Sequence, residues 1–585
     1  MLPQSLENQK MNEVFKYASI IVVVYIFATA PFYQKITLFN VGPWLLNLHQ
    51  YVDKSREGGL ESVILKTEDD FMIDKFVKVP PHINPFNPYA YPNMPGYFLL
   101  YKFLGLRGES LWLGQRLFDT LIGLCTVLLV FGIGCLLFDT RIGAIAGVLS
   151  VFSPHIWIMY NFDGGIQRAY SMFLCLLVLW LFLLFQKIPK GIYLLVTGVL
   201  MGINVLFFHM GSFVAPIIIL GYSITVAYLE KSMVQVRRVF YILCIASMVF
   251  LFTDILHSSY FNLEVSTWHG RLEEYLNKGI GTHIPKNLLF LTPSRIFDNL
   301  GFFLGSVFVD GLDGGSHYVV APPGVPLIYN YFILMFSLPA ISSLFFQKRK
   351  EGIFLLVWIF FFLFVYSFFI QAKIKNLFLF VPPLTILAAH GVAVSSKYLS
   401  WFANQMKYSE TWCKPFLEGV LVGSSCLLGS YFLFIDLPGK NFYDGGSYMG
   451  HPAVYRHISE RGYTDKTKIV FTSQDTLIVA NMSQRLFTRG VPEIINLSKL
   501  GVLSIPNKEQ EDKWRKVDAH LQNNSDRIFY CFTYFDNLMG FAYVTDNFYE
   551  QIFFKIYPET VPFVISGLDG KPLWRIYEIP GMAVG

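Results

Sequence analysis

The feature that most restricts this chain is a series of apolar runs of about 18–22 residues, each long enough to cross roughly 30 Å of hydrocarbon. About eleven such runs lie near 16–33, 117–138, 141–159, 169–186, 190–208, 210–229, 238–256, 325–346, 352–371, 375–396 and 416–436. Charged residues are 15% of the 585, and hydrophobic ones 54%. A soluble domain keeps about 25% of its residues charged, so this chain cannot present a water-facing surface over its whole length. An all-α polytopic membrane protein follows, and a soluble enzyme is excluded for most of the sequence.

The charges are sorted. If the N-terminus is cytoplasmic, the inner loops hold Arg141, then Lys187 and Lys190, then Lys231, Arg237 and Arg238. Lys348, Arg349 and Lys350 follow, and then Lys397, Lys407 and Lys414. The short outer connections hold only Arg168, Lys373 and Lys375. Cytoplasmic loops normally carry the excess of Lys and Arg, so the net charge of +5 reads as topology and not as a nucleic-acid footprint. An odd number of spans puts the C-terminus outside. The first apolar run has a polar lead and no small-residue cleavage site, and reads as a retained span.

Two large outer loops, 34–116 and 257–324, interrupt a membrane domain over 1–435, and the second should carry an interfacial helix near 287–309. From 436 to 585 the charges return. Strand-like "TKIVFTS", "DRIFYCFTYF" and "PLWRIYEI" alternate there with helical "HPAVYRHISERGY", which predicts a small soluble α/β domain on the outer, periplasmic or lumenal, side. Of seven cysteines only Cys531 lies in this tail, so neither a disulfide framework nor a metal cluster is implied. Asn481, Asn496 and Asn523 begin glycosylation acceptor patterns, relevant in a eukaryotic secretory setting.

The stretch "YPNMPGYFLLYKFLGLRGESLWLGQRLFDTLIGLCTVLLVFGIGCLLFDTRIGAIAGVLSVFSPHIWIMYNFD" and the later "AKIKNLFLFVPPLTILAAHG" resemble the GT-C membrane glycosyltransferases. In particular they resemble the branch of protein O-mannosyltransferases and lipid A aminoarabinose transferases. A proline-aromatic motif, an Arg at the start of the second span, an "SP" in the third and a lysine-then-"PPL" segment occur in that family's order. The resemblance spans roughly residues 15–435 and is densest over 91–163.

It implies an integral membrane glycosyltransferase that moves a sugar from a polyprenyl-phosphate donor to a lipid or protein acceptor on the outer face. No other cofactor and no metal is implied. A bacterial inner membrane is the implied setting, with membrane lipids and the lipid-linked sugar as partners, a protein partner through the tail and no nucleic acid. A phosphate leaving group calls for cations, and Lys373, Lys375 and Arg116 are the candidates. Lys at a span end also snorkels with no ligand, and Arg116 could serve as an interface anchor.

Removing the acceptor's proton calls for a carboxylate. Where the family places an acid after the first span this chain has Asn40, and an amide is no base at neutral pH. The remaining candidates are Asp69 and Asp70 in the solvated-looking "EDD", and Asp163 in "NFDGG", which is also a strong turn signal. Asp119, inside the second span, is a further intramembrane acid, with Arg116 three residues earlier as its natural helical partner. The lost acid keeps a second reading open, a non-catalytic relative serving as a subunit of a membrane complex. A transporter is disfavoured by the scarcity of mid-span charge.

Overall fold

The structure, a computed structural model, describes residues 4–34, 104–106, 108–161, 167–206, 210–260, 293–308, 327–328, 330–347, 350–368, 377–405 and 412–436. In the C-terminal part it describes 450–471, 488, 491–497, 500, 508–533, 547–567 and 570–582. Asn40, Asp69, Asp70, Asp163, Lys373 and Lys375 lie outside these residues.

The membrane part is helical: α1 (Gln4–Gln34), α2 (Gly108–Leu137), α3 (Thr140–Val151), α4 (Pro154–Asn161), α5 (Gln167–Lys187), α6 (Gly191–Leu206) and α7 (Met210–Glu230). After these come α8 (Val234–Tyr260), α9 (Pro293–Phe308), α10 (Tyr331–Gln347), α11 (Lys350–Phe368), α12 (Val381–Gln405) and α13 (Cys413–Tyr431). Within the described residues each apolar run named from sequence contains helix. Among the described residues eight helices are long and apolar enough to cross a membrane.

The other three expected spans are shorter. The run 141–159 is divided into α3 and α4, because Pro154 has no N–H to donate and its ring clashes with the carbonyl four residues back. Pro154 therefore opens a new helix, with the Ser153 carbonyl accepting from Trp157 N at 3.0 Å. Helices α6 and α10 are 16 and 17 residues long, about 24–26 Å at 1.5 Å per residue.

The turn between α2 and α3 is held by Asp139, whose carboxylate accepts from Ile142 N at 2.8 Å, an N-cap that satisfies one of the helix's open donors. Beyond it Arg141 pairs with Glu418 of α13, and Lys350 at the start of α11 pairs with Glu230 at the end of α7. These ties join the helix ends expected to face the cytoplasm.

Close helix contacts fall at glycines, as they do where lipid supplies no hydrophobic drive and packing must. A Cβ on Gly391 of α12 would stand 1.7 Å from the Phe336 carbonyl oxygen of α10, so these helices touch backbone to backbone. The interfacial helix expected near 287–309 is α9. Its Phe303 and Val307 are buried, while Phe297 and Leu304 are exposed. Phe303 packs on Tyr366 of α11 and on Phe380 just before α12, with ring centroids 5.6 and 5.3 Å apart.

The C-terminal part is the expected α/β unit: α14 (His451–Arg461), β1 (Thr467–Phe471), β2 (Glu493–Asn496), α15 (Lys508–Asn523), β3 (Arg527–Thr533), α16 (Asn547–Ile556), β4 (Phe563–Ser566) and β5 (Pro572–Pro580). The sheet order is β2-β1-β3-β5-β4, with the β1–β2 and β1–β3 pairs parallel and the β3–β5 and β4–β5 pairs antiparallel. Strand side chains alternate between faces. Ile469, Phe471, Phe529, Cys531 and Trp574 accordingly share a cluster with Val454, Tyr455 and Ile458 of α14. Val470, Ile528, Tyr530, Phe532 and Tyr577 pack with Trp514, Leu521, Tyr549 and Phe553 of α15 and α16.

Two carboxylates pin the helices to this second face. Asp518 accepts from the hydroxyls of Tyr530 and Tyr557, and Glu550 accepts from Tyr577 and, at 2.9 Å, from Arg575. Of the sequon asparagines, Asn496 is buried at the end of β2 and Asn523 is exposed.

Gly391→Ala should cost about 1–3 kcal/mol by overpacking and visibly lower the melting temperature of the solubilised chain. Gly301→Ala, with open space around its Cβ, should leave it nearly unchanged. A second measurement reads the tail. His451 is fully buried beside Trp574 and Phe471, and burial lowers its pKa to about 3. Its stabilising contribution is complete above the ordinary value of about 6.5, and drains as pH falls, because only the unfolded chain takes up the proton. At pH 5 the loss should be about 2 kcal/mol. The drop in melting temperature between pH 7.5 and pH 5 should be smaller in His451→Phe.

Candidate active site

Helix α2 carries Trp112, Gln115, Arg116 and Asp119 at spacings of three and four residues, which places them on one helical face. All four are buried, Gln115, Arg116 and Asp119 at 3%, 4% and 2% exposure. A charged side chain is almost never fully buried without a partner. This face does not meet lipid. It turns inward at the end of the bundle where α1 and α4 finish and α5 begins.

Asp119 is held from two sides. Its Oδ1 accepts from the Tyr170 hydroxyl of α5 at 2.7 Å and from Gln115 Nε2 at 2.9 Å. The same Gln115 nitrogen lies 3.0 Å from the Tyr170 hydroxyl, closing a small ring of polar atoms. The Arg116 guanidinium acts electrostatically on both Asp119 and Tyr33. Asp119 Oδ2 and Gln115 Oε1 are enclosed and have no hydrogen-bond partner among the described residues. A buried acceptor without a donor costs about 1–3 kcal/mol, so these two oxygens mark a place where a donor group belongs.

Next to Asp119 along α2, Thr120 gathers the neighbouring helices. The Tyr33 hydroxyl of α1 donates to Thr120 Oγ1 at 2.7 Å, and Thr120 Oγ1 donates to Asn161 Oδ1 of α4 at 3.1 Å. The Tyr25 hydroxyl donates to the Thr120 carbonyl at 3.0 Å. Tyr160 donates to the Ala169 carbonyl of α5 at 2.8 Å, and Trp157 to the Ala28 carbonyl of α1 at 3.2 Å. Four helix ends are thus fixed around the Arg116–Asp119 face.

Of the residues singled out from sequence, the structure places Arg116 and Asp119 here. Asp163, two residues after Asn161, lies outside the described residues, and so do the first-loop acids and both lysines. The sequence does not single out Gln115 and Tyr170, because the hydrogen bonds that give them a role run between α2 and α5.

A second polar spot is a crevice lined by Ser153, Asn330, Val381, Thr385 and Ser425 among apolar neighbours. Asn330 Nδ2 donates to Ser425 Oγ at 2.5 Å and to Ser424 Oγ at 3.1 Å, so most of its polar groups are already paired. Among the described residues no three His, Cys, Asp or Glu side chains converge to hold a metal ion.

No family model and no curated protein matches the chain. Among solved structures it is similar to ArnT from Cupriavidus metallidurans bound to undecaprenyl phosphate. The identity is 12% with 97% of each chain covered, and the TM-score is 0.46. It is also similar to the archaeal oligosaccharyltransferase AglB from Archaeoglobus fulgidus, solved with an inhibitory peptide and a dolichol-phosphate. There the identity is 13%, the coverage 88% of this chain and 69% of that one, and the TM-score 0.44.

Tyr170→Phe removes a hydrogen bond to a buried carboxylate and should cost about 1.5–3 kcal/mol. Its melting temperature in detergent should fall well below that of Tyr398→Phe, a tyrosine 69% exposed. Equal melting of the two variants would show that Tyr170 does not hold Asp119.

Proposed function

We propose that this chain is an integral membrane glycosyltransferase of GT-C type, taking a sugar from a polyprenyl-phosphate donor and passing it to a lipid or protein acceptor at the outer face. The observation that carries the reading is the buried Arg116–Asp119 face, where Asp119 Oδ2 and Gln115 Oε1 have no hydrogen-bond partner among the described residues, at the helix ends from which the Asp163 segment departs. A cation beside a leaving phosphate and a carboxylate beside an incoming hydroxyl are the two groups such a transfer needs.

In this reading Arg116, Lys373 and Lys375 serve the lipid phosphate. Asp163, Asp69 and Asp70 are the loop carboxylates open to the acceptor. The unit 1–435 holds the donor, and 436–585 offers a docking surface on the same side. The orientation, N-terminus cytoplasmic and C-terminus periplasmic, rests on the sorting of Lys and Arg.

A second reading, a non-catalytic subunit of a membrane complex, draws on Asn40, an amide where the resembled enzymes carry an acid. Sugar transfer separates the two. Purified full chain, supplied with a mixed pool of radiolabelled undecaprenyl-phosphate-linked sugars and membrane extract, should label a lipid or protein acceptor. No transfer from any donor, together with stoichiometric co-purification with one complex, would establish the second reading instead.

A further inference from the structure

We propose that Asp119 is the base that accepts the acceptor's proton, taking over the work of the acid missing at Asn40; this rests on the glycosyltransferase reading above. The geometry points to it through the division of labour between the two carboxylate oxygens. Tyr170 and Gln115 both donate to Oδ1 and so fix the carboxylate plane. Oδ2 is left enclosed and unpartnered among the described residues. A base oriented by a second group, with its reacting atom free, is the arrangement that activates a nucleophile.

Arg116 precedes Asp119 by three residues on the same face of α2, so one helix carries both a cation for the leaving phosphate and a carboxylate for the acceptor.

In the step itself the acceptor O–H proton passes to Asp119 Oδ2 as the acceptor oxygen forms its bond to the anomeric carbon. The bond from that carbon to the phosphate oxygen breaks, and its electron pair leaves with the polyprenyl phosphate. The products are the glycosylated acceptor, polyprenyl phosphate and a protonated Asp119, which then releases its proton to solvent. Because Oδ2 is enclosed, the acceptor must displace its cover to reach it, a step that apo geometry does not preclude.

The test uses the purified full chain with undecaprenyl-phosphate-linked sugars and membrane extract. Asp119→Asn should lower kcat about 10²–10⁴-fold, with the donor KM and the binding of undecaprenyl phosphate little changed. Asp119→Glu, which keeps a carboxylate but shifts its oxygens, should retain part of the rate. It also stands in as the readout if the Asn variant does not fold, wild-type kcat in Asp119→Glu then overturning the proposal. A normal kcat in folded Asp119→Asn, or a loss confined to KM, would overturn it while leaving the glycosyltransferase reading intact, the base then being sought at Asp163. A wild-type chain that transfers nothing would remove that reading and this proposal together.

Discussion

A polar group taken out of water must find its partner inside the protein, and one end of this bundle is organised around that requirement. Asp119, Gln115 and Tyr170 hydrogen-bond one another across α2 and α5, and Tyr33, Thr120 and Asn161 do so across α1, α2 and α4. Elsewhere the polar ties between helices are more scattered, as at Arg141–Glu418, Lys350–Glu230 and Asn330–Ser425, and shape carries more of the packing. The backbone contact at Gly391 and the jammed glycines Gly134 and Gly143 of α2 and α3 are packing terms that a neighbour of similar size could imitate. The hydrogen-bonded end cannot be imitated, because each wrong pairing strands a donor or acceptor in a medium that offers no substitute. This end sets the register of α1, α2, α4 and α5, and with it the place where chemistry could occur.

Much of the fold is legible in the sequence because the bilayer forces it to be. A span needs a long apolar run, and those runs, together with the sorting of Lys and Arg, can be read directly. The separate character of α9 is legible too, since most of its apolar residues gather toward one side of the helix. The tail's β1, β3 and β5 stand out as apolar and β-branched runs. The edge strands β2 and β4, four residues each, are too short to rise above their surroundings. The break between α3 and α4 is one Pro inside an otherwise acceptable run, and hydropathy does not register it.

The site is less legible. Arg116 and Asp119 announce themselves as charges in an apolar segment. Gln115 and Tyr170 do not, because a Gln near a helix end and a Tyr at the start of a span are ordinary membrane-boundary residues. Their role arises from α2 and α5 lying side by side, a tertiary fact with no local signature. The loop residues Asp69, Asp70, Asp163, Lys373 and Lys375 remain readings from sequence.

Helix α9 has a bearing on how the chain is made. Its buried ring, Phe303, rests on Tyr366 and Phe380, both synthesised later than the helix itself. At roughly 5–20 residues per second, the last of these partners emerges on the order of 4–14 s after α9 is complete. Over that interval the helix has its exposed Phe297 and Leu304 to set against lipid, but nothing to cover Phe303. It must wait at the membrane surface until α11 and α12 have inserted.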